Sequence, residues 1–219
     1  MLLNSSIAKK QTVAITGLLL IFFIITHLGG NLFIYAGPDV LNSYAHKLHS
    51  IGPLLLIPRL ILLSIFLLHI FVIHILVIQN IKARGGMKRY AIDQMVGKRT
   101  LSERLMVWSG VYILVFVVFH ILDFAAADQQ GPRSFIHGKS LGLYGLVYNS
   151  FTNPVHGLLY IIAVVFLGLH LSHGVQSFVQ TCGFRPKWGD LIQKWSNYFA
   201  LTMVAGYSSI PIYVYWLSH

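Results

Sequence analysis

Five stretches of this chain, at about residues 12 to 36, 54 to 81, 105 to 126, 156 to 182 and 195 to 216, stay apolar for longer than an ordinary surface helix. Roughly 20 apolar helical residues, rising about 1.5 Å each, cross the hydrocarbon core of a bilayer. Lipid offers the backbone no hydrogen-bond partners, so a spanning segment of this length must be a helix that satisfies itself. The expected fold is therefore all-α, an integral membrane bundle of five transmembrane helices, with residues 1–219 forming a single domain. Between the spans, "AGPD" at 36 to 39 and "QQGPRS" and "FTNP" within 127 to 155 carry the Gly and Pro residues that stop helices.

Composition narrows the class further. Of the residues 56% are hydrophobic and 10% charged, and the net charge is +10. The basic residues lie between the apolar runs and do not interleave with aromatics along a soluble face, so nucleic acid is not an expected partner. Cys182 is the one cysteine, which excludes an intramolecular disulfide and any cysteine-based metal site. The first apolar run follows Lys9 and Lys10, is as long as a span and lacks a small-residue cleavage site, so it reads as a helix that stays.

Charge also orients the bundle. Lys9, Lys10, Lys82, Arg84, Lys88, Arg89, Lys98, Arg99, Arg104, Arg185, Lys187 and Lys194 fall on one side, and only Lys47, Arg59, Arg133 and Lys139 on the other. The positive-inside rule then places the N-terminus and the 82 to 104 and 183 to 194 loops in the cytoplasm and the C-terminus outside. Trp108, Trp188, Trp195 and Trp216 stand near span ends, as interfacial aromatics do. "TLSE" at 100 to 103 has capping-box spacing for the third span. No internal repeat is evident.

Histidine is the unusual polar residue, with 11 copies. Six lie inside spans: His27, His69, His74, His120, His170 and His173. An ionisable side chain in lipid is costly and is by default a functional candidate. The first and third helices run outward with His27 and His120 in their outer halves, so these two can meet. The second and fourth run inward, and His69 and His170 each stand 13 residues before a cytoplasmic marker, Lys82 and Gly183. Two imidazoles at one depth on different helices suit a six-coordinate b-type haem, whose porphyrin fills the other four iron positions. Two pairs imply two haems, with iron held by His27 with His120 and by His69 with His170. His74 and His173 form a rival inner pair. His74 is about 140° around the helix from His69, so those two cannot share a face. No cysteine or carboxylate completes a zinc set among these histidines.

The order and spacing of "TGLLLIFFIITHLGGNLFIYAG", "LNSYAHKL", "HIFVIHILVIQNIKAR", "SGVYILVFVVFHILDF" and "FTNPVHGLLYIIAVVFLGLHLSHGVQSFVQTCGF" resemble the dihaem cytochrome b membrane anchor of succinate:quinone oxidoreductases, the succinate dehydrogenases and fumarate reductases with one five-helix anchor. The resemblance implies a subunit of the inner (cytoplasmic) membrane that carries electrons between an iron–sulfur subunit and quinone, menaquinone or ubiquinone. The dicarboxylate site would lie on a flavoprotein subunit, with no residue of this chain catalytic toward succinate or fumarate. It also implies His27 and His120 as ligands of the haem farther from the cytoplasm and His69 and His170 as ligands of the nearer one. Tyr44, His46 and His49, in the first outer loop, are the quinone candidates. The 82 to 104 loop and "GFRPKWGD" are the candidate dock for the iron–sulfur subunit. Gly168 departs from members that carry a glutamate at this place for transmembrane proton transfer. Two other readings compete: a dihaem anchor of a hydrogenase or formate dehydrogenase, and a proton-coupled transporter with a histidine relay.

Overall fold

The structure, a computed structural model, describes residues 5–83, 101–183 and 189–219. Thr100, Trp188 and much of the basic loop charge, including Arg84, Lys88, Arg89, Lys98, Arg99, Arg185 and Lys187, lie outside the described residues. The chain forms helices α1 (Ser6–Asn31), α2 (Pro38–Ser50), α3 (Leu56–Ala83), α4 (Leu101–His120), α5 (Gly142–Phe151), α6 (Pro154–Thr181) and α7 (Gly189–Ser218). A two-stranded hairpin, β1 (Phe135–Ile136) and β2 (Lys139–Ser140), precedes α5, with Phe135 opposite Ser140.

Four helical segments, Ser6–Ala36, Gly52–Ala83, Leu101–Ala125 and Pro154–Thr181, are long and apolar enough to cross a membrane. Their outward faces present bare apolar side chains, among them Phe22, Leu67, Phe119 and Leu159. That pattern, with polar groups turned inward, is the one lipid selects. The chain is thus an all-α bundle of the multi-pass membrane class. Helix α7 covers the fifth expected span, but Asn197, Thr202, Ser208 and Ser209 dilute its apolar character and it is not among the four.

Local chemistry sets the helix ends. Ser5 caps α1 by accepting from the Ala8 amide at 3.4 Å. Asn153 caps α6 through the amides of Val155 and His156, and Pro154 occupies the first turn, where its missing N–H costs nothing. Gly37 precedes α2 at a φ of 90°, a conformation open to glycine.

Helix α6 is the centre of the bundle and packs on α7, α4 and α1, while α3 packs on α1. The order around the bundle is therefore α3, α1, α6, α4. Among the described residues neither diagonal, α1 with α4 or α3 with α6, is a packed pair. The space between the diagonals is a cavity.

The end of the bundle that carries α2 and α5 is closed by structure where loops are expected. Helices α2 and α5 pack on each other, and Ile34, Leu41, Phe151, Ile210 and Val214 form a buried cluster beneath them. Gly145 of α5 lies so close to the Ser134 carbonyl that a Cβ would stand 2.0 Å from its oxygen, so only glycine lets α5 reach the segment before the hairpin. Asn149 then donates to the carbonyls of Arg133 and Phe135.

A histidine-lined cavity as the candidate functional site

The cavity between the four apolar helices measures about 1970 Å³ and runs from Lys10, Asn80 and Asp190 at one end to His49 and Gln129 at the other. Ordinary small-molecule pockets hold about 300–1,000 Å³, so this one has room for more than a single ligand of that size. Its walls are chiefly aliphatic and aromatic, and all six intramembrane histidines reach it.

His27 of α1 and His120 of α4 face one another along one diagonal. Their ring centroids are 5.8 Å apart and their planes stand at 84°. Two imidazoles that each place a nitrogen about 2 Å from one metal ion hold their rings roughly 6 Å apart, so this pair has the spacing of ligands to a shared metal. Aromatic rings hold both in place: Phe23 stacks on His27 at 5.2 Å, and Phe116, Phe124 and Tyr160 surround His120 at 5.6 to 6.0 Å. The Tyr207 hydroxyl donates to the Ile24 carbonyl and keeps α7 against this part of α1.

His69 of α3 and His170 of α6 occupy the other diagonal, within electrostatic range of each other. Each has its Nδ1 at a hydroxyl of a neighbouring helix: His69 at Thr16 Oγ1, 2.9 Å, and His170 at Ser109 Oγ, 3.3 Å. The adjoining glycines admit the rings, since a Cβ on Gly17 would lie 3.3 Å from His69 Cε1 and one on Gly110 3.5 Å from His170 Cε1. These contacts fix depth. The His69 ring lies level with Thr16 and Gly17 of α1 and the His170 ring with Ser109 and Gly110 of α4. Because His27 and His120 each follow their hydroxyl residue by eleven positions, the two diagonals are separated by about 16 Å along the bundle.

His74 also lines the cavity but is exposed, and among the described residues no hydrogen bond holds its ring. His173 is half-buried and its Nδ1 has no hydrogen-bond partner. Of the three outer-loop candidates, His49 alone reaches the cavity, with Nδ1 2.9 Å from the Ala45 carbonyl. The Tyr44 hydroxyl packs against Gly30, where a Cβ would stand 2.6 Å away, and the ring lies 5.1 Å from Phe33. His46 is exposed on α2 and lines no part of the cavity. Gly168 faces away from it: a Cβ there would lie 2.4 Å from Val204 Cγ2 of α7. A glutamate at this position has no room in the α6–α7 contact, which accounts for the glycine.

One polar group lies outside what the histidine spacing indicates. A π-helical turn, Ile121–Ala125, follows His120 and presents Asp123 to Arg133 at 2.9 Å, to the Tyr160 hydroxyl at 2.8 Å and to His156 Nε2 at 2.8 Å. An acidic residue three positions after an intramembrane histidine was its visible signal. The hydroxyl–glycine pairs carry a sequence signal of their own, since "TG" and "SG" precede His27 and His120 by the same interval.

Among the described residues no three His, Cys, Asp or Glu side chains gather as a metal site. Two imidazoles supply two ligands, so a six-coordinate metal held by such a pair needs its other four positions filled by another group, as a macrocycle fills them. The space between the diagonals is lined chiefly by apolar side chains such as Leu63, Ile73, Leu114 and Val117. Compared with known proteins, the chain matches no family model, no curated protein and no solved structure.

Proposed function

We propose that this chain is the dihaem cytochrome b anchor and electron-transfer subunit of a succinate:quinone oxidoreductase. The observation that carries the reading is one cavity crossed by two histidine diagonals about 16 Å apart, with His27 and His120 at 5.8 Å on one and hydroxyl-backed His69 and His170 on the other. Haem b bound there supplies one-electron transfer. The residues do the rest. His27 with His120 and His69 with His170 would each hold one haem, with both iron positions outside the porphyrin taken by imidazole, and the apolar walls would keep water away from it.

In this reading α7 is a fifth span, the N-terminus is cytoplasmic and the C-terminus outside, in the cytoplasmic membrane. An iron–sulfur subunit docks at the cytoplasmic end, a flavoprotein carries the dicarboxylate chemistry, and menaquinone or ubiquinone reacts in the membrane. His49, at the outer mouth of the cavity, is the best placed of the outer-loop residues to meet a quinone carbonyl. The purified chain is expected to show a Soret band with the sharp α band of low-spin haem b, and to co-purify with flavin and iron–sulfur subunits. A chain without a Soret band refutes the proposal and favours a histidine-relay transporter. Haem with hydrogenase or formate dehydrogenase partners refutes the succinate assignment alone.

A further inference from the structure

We infer that Thr16 and Ser109 are the positioning residues of the inner ligand pair, fixing the tautomer of His69 and His170 so that Nε2 of each is the free donor, and that the outer pair works without this device. The inference rests on the assignment of the two diagonals as haem ligands. Its ground is a duplicated arrangement: a hydroxyl residue, a glycine, nine residues and a histidine, as Thr16-Gly17 before His27 on α1 and Ser109-Gly110 before His120 on α4. Eleven residues are about three helical turns, so on each helix the hydroxyl and the histidine share a face. Each of these helices therefore supplies a ligand to the outer level and a hydroxyl to the inner one.

The direction of the inner hydrogen bonds follows from where the hydroxyl protons go. Thr16 Oγ1 stands 2.7 Å from the Thr12 carbonyl, closer than its 2.9 Å to His69. Ser109 Oγ stands 3.0 Å from the Met106 carbonyl, closer than its 3.3 Å to His170. A carbonyl can only accept, so each hydroxyl spends its one proton there and offers a lone pair to the ring. Nδ1 must then be the protonated nitrogen, which leaves Nε2 with the lone pair a metal needs. Donation from Nδ1 also makes Nε2 more basic, which favours the ferric state. The outer level differs, because His120 Nδ1 is buried with no hydrogen-bond partner. Gly17 and Gly110 complete the seat by letting the rings lie against the helix backbone.

The test uses the full chain, purified with its haem in detergent, and the variants Thr16→Val, Thr16→Ser and Ser109→Ala. Retention of each haem is measured against a competing haem-binding apoprotein, and each midpoint by redox titration. Thr16→Val is expected to weaken retention of the inner haem about tenfold, the lower end for loss of an outer-shell partner, and to raise its midpoint. Thr16→Ser should restore both, and Ser109→Ala should act on the same haem. The outer haem, identified as the one lost in His120→Ala, should keep its retention and potential and so report that the bundle is folded. Unchanged inner retention and potential in both Thr16→Val and Ser109→Ala overturns the inference, as does joint loss of both haems, which would make the hydroxyls props of the whole bundle. A wild-type chain without haem refutes instead the assignment beneath it.

Discussion

Removing one imidazole of the outer diagonal separates the two levels of the cavity. His120 is the better choice, because its Nδ1 has no hydrogen-bond partner and its loss strands no other group. His120→Ala is expected to halve the haem content, from two per chain to one. The surviving haem should also titrate differently. At about 16 Å, two unit charges in a medium of effective dielectric about 20 interact by roughly 1 kcal/mol, which for a one-electron couple is about 40 mV. An oxidised outer haem carries one more positive charge than a reduced one, so its removal lowers the inner midpoint by up to about 40 mV when the outer haem is the later one to be reduced, and leaves it unmoved when it is the earlier. Pyridine haemochrome content and a potentiometric titration followed at the α band measure both effects. Loss of both haems from a folded protein, or retention of both, refutes the assignment of separate diagonals.

Three further outcomes follow from the geometry. His69→Ala should lose the inner haem while His74→Ala keeps both, since only His69 has its Nδ1 held by a neighbouring helix; loss with His74→Ala alone, read by haem content, would reverse the choice. Gly168→Ala should destabilise the α6–α7 contact by about 1–3 kcal/mol through overpacking against Val204, seen as a lower melting temperature in detergent with haem spectra unchanged below the transition. Asp123→Asn removes a charged acceptor shared by Arg133 and Tyr160 and should loosen the outer cap by about 1–2 kcal/mol, measured as faster proteolysis of the 127–155 segment.

Much of the bundle was legible because lipid imposes a single rule on it. A run of 20 or more apolar residues has to be a helix, and a helix has a fixed rise, so depth could be counted from loop markers. That is why His27 and His120 were expected to meet and are 5.8 Å apart. The Gly and Pro residues of the 127 to 155 segment stop helices and predict a loop, yet the segment holds α5. Helix α5 depends on tertiary partners, with Gly145 against the Ser134 carbonyl and Asn149 bonded to the hairpin segment, and such long-range contacts leave no local period. The hydroxyls behind His69 and His170 belong to other helices, and pairing them requires knowing which helices are neighbours. Gly168 has no local explanation in the sequence because its facing residue, Val204, lies on α7.

Two separate imidazole pairs, His27 with His120 and His69 with His170, line one cavity. The most direct measurement is haem per chain in the purified wild-type protein, taken with the electron paramagnetic resonance of the oxidised form. Two haems b per chain, both low-spin with bis-imidazole signals, is the predicted result. A chain that binds no haem, or only one, or a high-spin haem with an open axial position, would contradict it.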